Sequence, residues 1–216
     1  QSLRGINLNG KDFGSLLDHA RTTDIILLQE SHKSTTNKFA ISLPKHKIYQ
    51  SNEVTLAVLS KYPIEGSGLV NKENSANGSV WVDVNIEGQP LRIYNAHLQS
   101  YRVAQTTSDI IDNPELGDEK TWTDVKSIIG KIRDMSKRRS DQVTKISQHI
   151  AKSGKPILLA GDFNDTPVSN TYRRLAGNLT DTFCAAGRGV GTTYAGKIPL
   201  LRIDYIFADA SFTVVD

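Results

Sequence analysis

The sequence predicts a single α/β domain. Three observations point to it: short apolar runs bounded by turn residues, stretches whose apolar residues recur three or four apart, and the alternation of the two along the chain. A chain of 216 residues has room for one such domain with a substantial core. Hydrophobic residues at 38% and charged residues at 23% argue against both disorder and a fibrous repeat.

Phe13, Leu16, Leu17 and Ala20 have helical spacing. Ile25 to Gln29, after Thr22, Thr23 and Asp24, is an apolar run of the kind buried on both faces of a sheet, and it ends on Glu30. Val54 to Leu59, Ser79 to Ile86, Leu91 to Ala96, Ile157 to Ala160 and Ile203 to Phe207 read as further strands, each stopping close to a polar residue. Between Tyr101 and Gly154 the period changes. Trp122, Val125, Ile128, Ile129, Ile132 and Met135, and then Val143, Ile146 and Ile150, mark amphipathic helix. Tyr172, Arg173 and Leu175 suggest a short third helix. Val80, Val82, Val84 and Ile86 alternate as a half-buried strand does, beside runs buried on both faces. Two sheets face to face with helices outside accommodate both kinds of strand, and so does one doubly wound sheet.

Charge selects no partner: 26 Lys and Arg against 23 Asp and Glu leave a net +3. The densest basic run, Lys137-Arg138-Arg139, is expected to be a solvated helical face, with Lys126, Lys131 and Arg133 as its neighbours. One cysteine, Cys184, excludes an intrachain disulfide framework and a thiolate metal cluster. No apolar stretch approaches the ~18 residues of a membrane span, and the N-terminus lacks a signal-peptide pattern. Gln1 in place of Met suggests an excised fragment.

Chemistry concentrates where the strands end. Glu30, the Asn95 and His97 pair, Asp162 with Asn164, Asp181 and Asp204 each close or follow an apolar run. Acid, amide and imidazole groups gathered this way suit a hard cation bound through oxygen with a phosphate diester beside it. The sharpest run is Gly161-Asp162-Phe163-Asn164-Asp165-Thr166-Pro167. On an extended chain Asp162 and Asn164 face the same side, where a carboxylate activates water and an amide donates to a phosphoryl oxygen. An Asx-rich turn explains the same residues equally well. His32 and Lys33 read as loop residues, and Asp181 as a local cap or pair.

Gly161-Asp162-Phe163-Asn164 resembles the GDFN signature of the endonuclease/exonuclease/phosphatase superfamily, the relatives of deoxyribonuclease I. Leu28-Gln29-Glu30 is similar to its LQE motif, Asn95-Ala96-His97-Leu98 to its N-x-H-L segment, and Arg202-Ile203-Asp204-Tyr205-Ile206 to its R-I-D-Y-I strand. The four occur in the family's order between Ile25 and Phe207, with wording closest to bacterial members, some of which carry membrane helices ahead of the catalytic domain. The resemblance implies a four-layer αββα sandwich over residues 1–216, lacking the family's first and last segments. It implies a Mg²⁺-dependent (or Mn²⁺-dependent) phosphoester hydrolase, a phosphodiesterase or nuclease acting on nucleic acid or another phosphoester, with a membrane tether conceivable in the parent protein. A sugar-, inositol- or lipid-phosphate hydrolase and a non-catalytic phosphate-binding remnant are the alternatives. By the same resemblance Glu30 binds the metal, Asp162 positions or deprotonates water, Asn164 contacts phosphate and His97 contacts the scissile phosphate or acts as an acid. Asn95, Tyr101 and Arg102 lie on the substrate side. Asp204 orients a histidine of a late Ser-Asp-His motif, and none of His19, His32, His46 or His149 has that context.

Overall fold

Strands and helices alternate throughout the computed structural model, which describes residues 13–100, 119–194 and 201–215. Helix α1 (Phe13–Thr22) leads through β1 (Ile25–Leu28) and α2 (Lys33–Ser42) to β2 (Lys47–Gln50) and β3 (Ala57–Ser60). Strand β3 pairs antiparallel with β1 on one side and β2 on the other, making a three-stranded sheet. The strands β4 (Ile64–Lys72), β5 (Gly78–Ile86) and β6 (Gln89–His97) then form an antiparallel meander. A long helix α3 (Glu119–Ala151) crosses back so that β7 (Ile157–Asp162) runs parallel to β6. After α4 (Asn170–Ala176), β8 (Thr180–Asp181) and α5 (Thr182–Ala186), β9 (Asp204–Ala208) inserts between β7 and β8. The larger sheet has the order β4-β5-β6-β7-β9-β8.

Side-chain alternation sorts these strands into three cores. Val80, Val82 and Val84 of β5, Leu91 and Ile93 of β6 and Ala160 of β7 pack against Leu27, Val54, Leu56 and Val58 from the smaller sheet. The residues between them point the other way: Tyr94, Ala96, Leu159 and Phe207 meet Val143 and Ile146 of α3 and Leu175 of α4. On the far side of the smaller sheet, Ile26, Ala57 and Leu59 meet Ala20, Phe39 and Leu43 of the first two helical segments. Each fully buried aliphatic side chain stabilises by about 1.5–3 kcal/mol relative to exposure, so three cores specify four layers, αββα. The single doubly wound sheet is eliminated.

His32 is a loop residue, as expected, at the N-cap position of α2, whereas Lys33 begins that helix. The apolar repeats before Gly154 belong to one 33-residue helix, as their spacing predicts. The basic run is not a uniform solvated face. Lys137 and Arg138 are exposed, Arg138 pairing with Glu73 at 2.8 Å, but Arg139 is fully buried, its Nε 3.3 Å from Asp165 Oδ2. Strands β2 and β4 carried no clear signal. Strand β4 is an edge strand whose residues alternate between half-buried and exposed only from Ile64 to Gly68, and Trp81 lies close over Gly66 and Gly68 in place of a larger side chain there.

Candidate active site

Register places three of the expected residues side by side. His97 on β6 pairs with Asp162 on β7, and Asp162 with Asp204 on β9. Alternation puts them on the face that looks toward the smaller sheet, since Ile93, Ala160 and Ile206 lie an even number of residues away in the inter-sheet core. Strands here must approach closely: Gly161 has φ +142°, and a Cβ there would lie 1.9 Å from Ala96 O. Only glycine fits that position.

The GDFN segment satisfies both sequence readings at once. Asn164 N donates to Asp162 Oδ1 at 2.8 Å, an Asx turn, and Asn164 itself has φ +50°, a left-handed conformation that asparagine tolerates. The turn occupies one carboxylate oxygen and leaves Oδ2 toward the site, 3.8 Å from His97 Nε2. Asn164 Nδ2 donates to Leu98 O at 2.9 Å. His97 is buried and hydrogen-bonded through Nδ1 to Ala76 O at 3.0 Å. A carbonyl only accepts, so Nδ1 carries the proton and Nε2 is the atom that faces Asp162.

Glu30 comes from the opposite sheet. It sits two residues beyond β1 with φ +51°, exposed, while the next residue is tied down by Ser31 N donating to Thr55 O at 2.9 Å. Its charge is felt across the gap. Burial first, then the Asp204 carboxylate and Glu30, push the Asp162 carboxyl up to about 7 against the opposing Asn164 N–H bond. Burial also raises the Asp204 carboxyl, opposed by its bond to Thr193. Burial lowers the His97 imidazole, with Glu30 and the Ala76 bond acting the other way. Unlike charges that would settle three clustered carboxylates are what a hard dication supplies. Among the described residues no group of three His, Cys, Asp or Glu side chains encloses a metal. Magnesium needs less, typically one or two carboxylates with several waters, and the donor chemistry of Glu30 and its neighbours fits that.

One expected residue changes role. Asn95 does not face substrate: it is fully buried, its Nδ2 donates to Leu28 O and Ala57 O at 3.0 Å each, and its Oδ1 accepts from Gln29 Nε2 at 2.7 Å. It ties β6 to the strand that delivers Glu30, and Gln29 is the partner that sequence reasoning overlooked. The reading of Asp181 as a cap or pair holds: it is opposite Phe207 in register, so it turns to the helix side, caps α5 and pairs with Arg202. Tyr101 and Arg102 lie outside the described residues. Asp204 N and Ile203 N both donate to Thr193 Oγ1, at 3.1 and 3.0 Å, so Thr193 fixes the backbone at this strand end. Beside Asp204 a groove of about 480 Å³ opens between the sheets, lined by Leu27, Gln29, Phe183 and Ile206 among others. No helix among the described residues is long and apolar enough to cross a membrane.

The sequence matches the Endonuclease/Exonuclease/phosphatase family over residues 6–216. No curated protein matches significantly. Among solved structures, a double mutant of beta toxin from Staphylococcus aureus with bound magnesium ions superposes with TM-score 0.58 at 16% identity, over 89% of this chain and 73% of that one. D. rerio TDP2 complexed with single strand DNA product gives 0.60 at 14% identity, over 91% and 74%. Sphingomyelinase C from Streptomyces griseocarneus gives 0.57 at 15% identity, over 93% and 77%. At such identities the likeness concerns the fold.

Proposed function

The chain belongs to the endonuclease/exonuclease/phosphatase family, and from that premise we propose that it is a Mg²⁺- or Mn²⁺-dependent phosphodiesterase. The observation that carries the reading is the row His97, Asp162 and Asp204 on three adjacent strands, facing Glu30 across the mouth of the inter-sheet layer. Phosphoester hydrolysis is the chemistry of the family, and the DNA of one structural neighbour and the sphingomyelin of another share the phosphodiester bond.

Asp162 takes a proton from the attacking water through Oδ2, because Oδ1 is held by the Asn164 N–H. Burial, the largest cause of the raised Asp162 carboxyl, makes it a better base than an ordinary aspartate. The second amide hydrogen of Asn164 donates to a phosphoryl oxygen, the first being engaged by Leu98 O. His97 accepts at Nε2 when neutral and donates there to the phosphate when protonated, Nδ1–H staying on Ala76 O. Asp204 acts on Asp162 through its charge on the next strand. Glu30, with water, would hold the metal, whose charge neutralises what develops on the phosphoryl oxygens.

The test is turnover of bis(p-nitrophenyl) phosphate with Mg²⁺ or Mn²⁺ and its loss to EDTA. A single-stranded oligonucleotide and sphingomyelin vesicles, compared next, divide nuclease from lipid hydrolase. Failure of folded, metal-supplied protein on all three refutes the reading.

A further inference from the structure

Arg139 is the largest fully buried side chain among the described residues. Its Nη1 donates to Gln99 O at 3.0 Å, and its Nε is 3.3 Å from Asp165 Oδ2. One turn further along α3, Gln142 Oε1 accepts from Gln99 N at 3.0 Å. Both backbone groups of Gln99 are thus held by one helix face. Gln99 lies two residues beyond His97 on the chain leaving β6, and Asp165 three residues beyond Asp162 on the chain leaving β7.

These two outgoing chains need a tie. The β6–β7 register ends at His97 and Asp162, followed only by Leu98 N donating to Asp162 O at 2.9 Å and Asn164 Nδ2 donating to Leu98 O. Beyond that point the guanidinium bridges them. A buried ion pair is a poor source of net stability, since desolvation costs several kcal/mol per ion and apolar replacements of similar volume often do as well. Geometry is what a two-pronged guanidinium supplies.

We propose that Arg139 and Gln142 are positioning residues that clamp the His97 and Asp162 strand ends in one register for catalysis, with Asp165 as the carboxylate that answers Arg139. The inference rests on the phosphodiesterase reading for its kinetic arm alone. Arg139 touches no reacting atom in this scheme. It acts through Gln99 and Asp165, and misplacing catalytic groups by an ångström costs on the order of 10²-fold in rate.

The experiment compares wild type with Arg139→Met, Arg139→Lys, Asp165→Asn and the Arg139→Met/Asp165→Asn double variant. It measures kcat and KM for bis(p-nitrophenyl) phosphate with Mn²⁺ well below each melting temperature, and amide hydrogen exchange in segments 96–100 and 162–166. For Arg139→Met we expect kcat to fall by roughly 10² with KM changed less than about threefold, and exchange to accelerate in both segments together. Arg139→Lys keeps the charge but cannot span both partners, so it should recover little. Asp165→Asn should fall about tenfold, and the double variant should be no worse than Arg139→Met, as expected for residues acting as a unit. If Arg139→Met does not fold, Asp165→Asn, altered on the loop side alone, carries the test. An unchanged kcat in a folded variant, or faster exchange confined to α3, overturns the clamp. A wild type inert toward the diester sinks the phosphodiesterase reading instead, and the exchange of the two segments then still decides the clamp.

Discussion

Replacing Asp162 by asparagine should make the metal-free protein more stable and the enzyme far slower. The carboxyl titrates at about 7 in the fold against its ordinary 3.8, because it is buried beside Asp204 and within reach of the Glu30 charge. The folded protein therefore keeps a proton that the unfolded chain has lost between these two values. Stability is greatest below the unfolded value, declines as pH rises through the window from about 4 to about 7, and levels off above it. At about 1.4 kcal/mol per pH unit, the ionised carboxylate costs up to about 4 kcal/mol by pH 8. The substituted amide has no charge to desolvate, and its oxygen can still accept the Asn164 N–H. Urea unfolding in EDTA should accordingly show Asp162→Asn more stable than wild type by a few kcal/mol at pH 8 and nearly equal at pH 4. Added Mg²⁺ should shrink the difference, since a cation near Glu30 offsets the repulsion in wild type. Turnover of the diester should fall by about 10²–10⁴-fold with the loss of the base. Equal stability of the two proteins at pH 8 without metal would refute the electrostatic argument, and an undiminished turnover would remove Asp162 from proton transfer.

Glu30→Gln should leave the melting temperature nearly unchanged, because the side chain is exposed, while weakening Mn²⁺ binding followed by electron paramagnetic resonance; unchanged Mn²⁺ affinity would move the metal elsewhere. Gly161→Ala sets a Cβ 1.9 Å from Ala96 O, so a loss above about 3 kcal/mol, or no soluble protein, is expected in denaturant unfolding; a near-neutral result would contradict the close β6–β7 approach. Asn95→Ala strands the Gln29 amide and two backbone carbonyls, and at about 1–3 kcal/mol for each unsatisfied group it should be strongly destabilising in the same unfolding measurement. Complete chelation should abolish diester turnover and restoring Mg²⁺ or Mn²⁺ should return it, with turnover surviving chelation as the contrary result.

Much of the site was legible because its residues sit at ends of apolar runs. Alternation along Val80, Val82 and Val84 announced β5 and its inner face, and the buried run before Gly161 announced β7. Edge strand β4 was not legible, because half-exposed positions and two glycines leave no apolar pattern. The basic run misled for a related reason. Lys137, Arg138 and Arg139 are alike in composition, but successive helical residues turn by about 100°, which sends Arg139 inward while its two neighbours meet solvent. The signal was present in the spacing: Gln142, Val143 and Ile146 follow Arg139 at i+3, i+4 and i+7, on the stripe that packs against the larger sheet.

By itself the sequence determined the α/β class, the candidate residues of the site and their order along the chain, since periodicity and turn chemistry are local properties written in neighbouring residues. Tertiary structure decided what those residues meet. Two facing sheets, rather than one doubly wound sheet, followed from three separate cores that join residues far apart in the chain. Asn95 and His97 share a face of β6, yet the two-residue step between them amounts to about 7 Å of depth. That depth places Asn95 under the opposite sheet, bonded to Leu28 and Ala57, and His97 at the row beside Asp162, a difference set by where the smaller sheet ends rather than by anything in the N-x-H pattern.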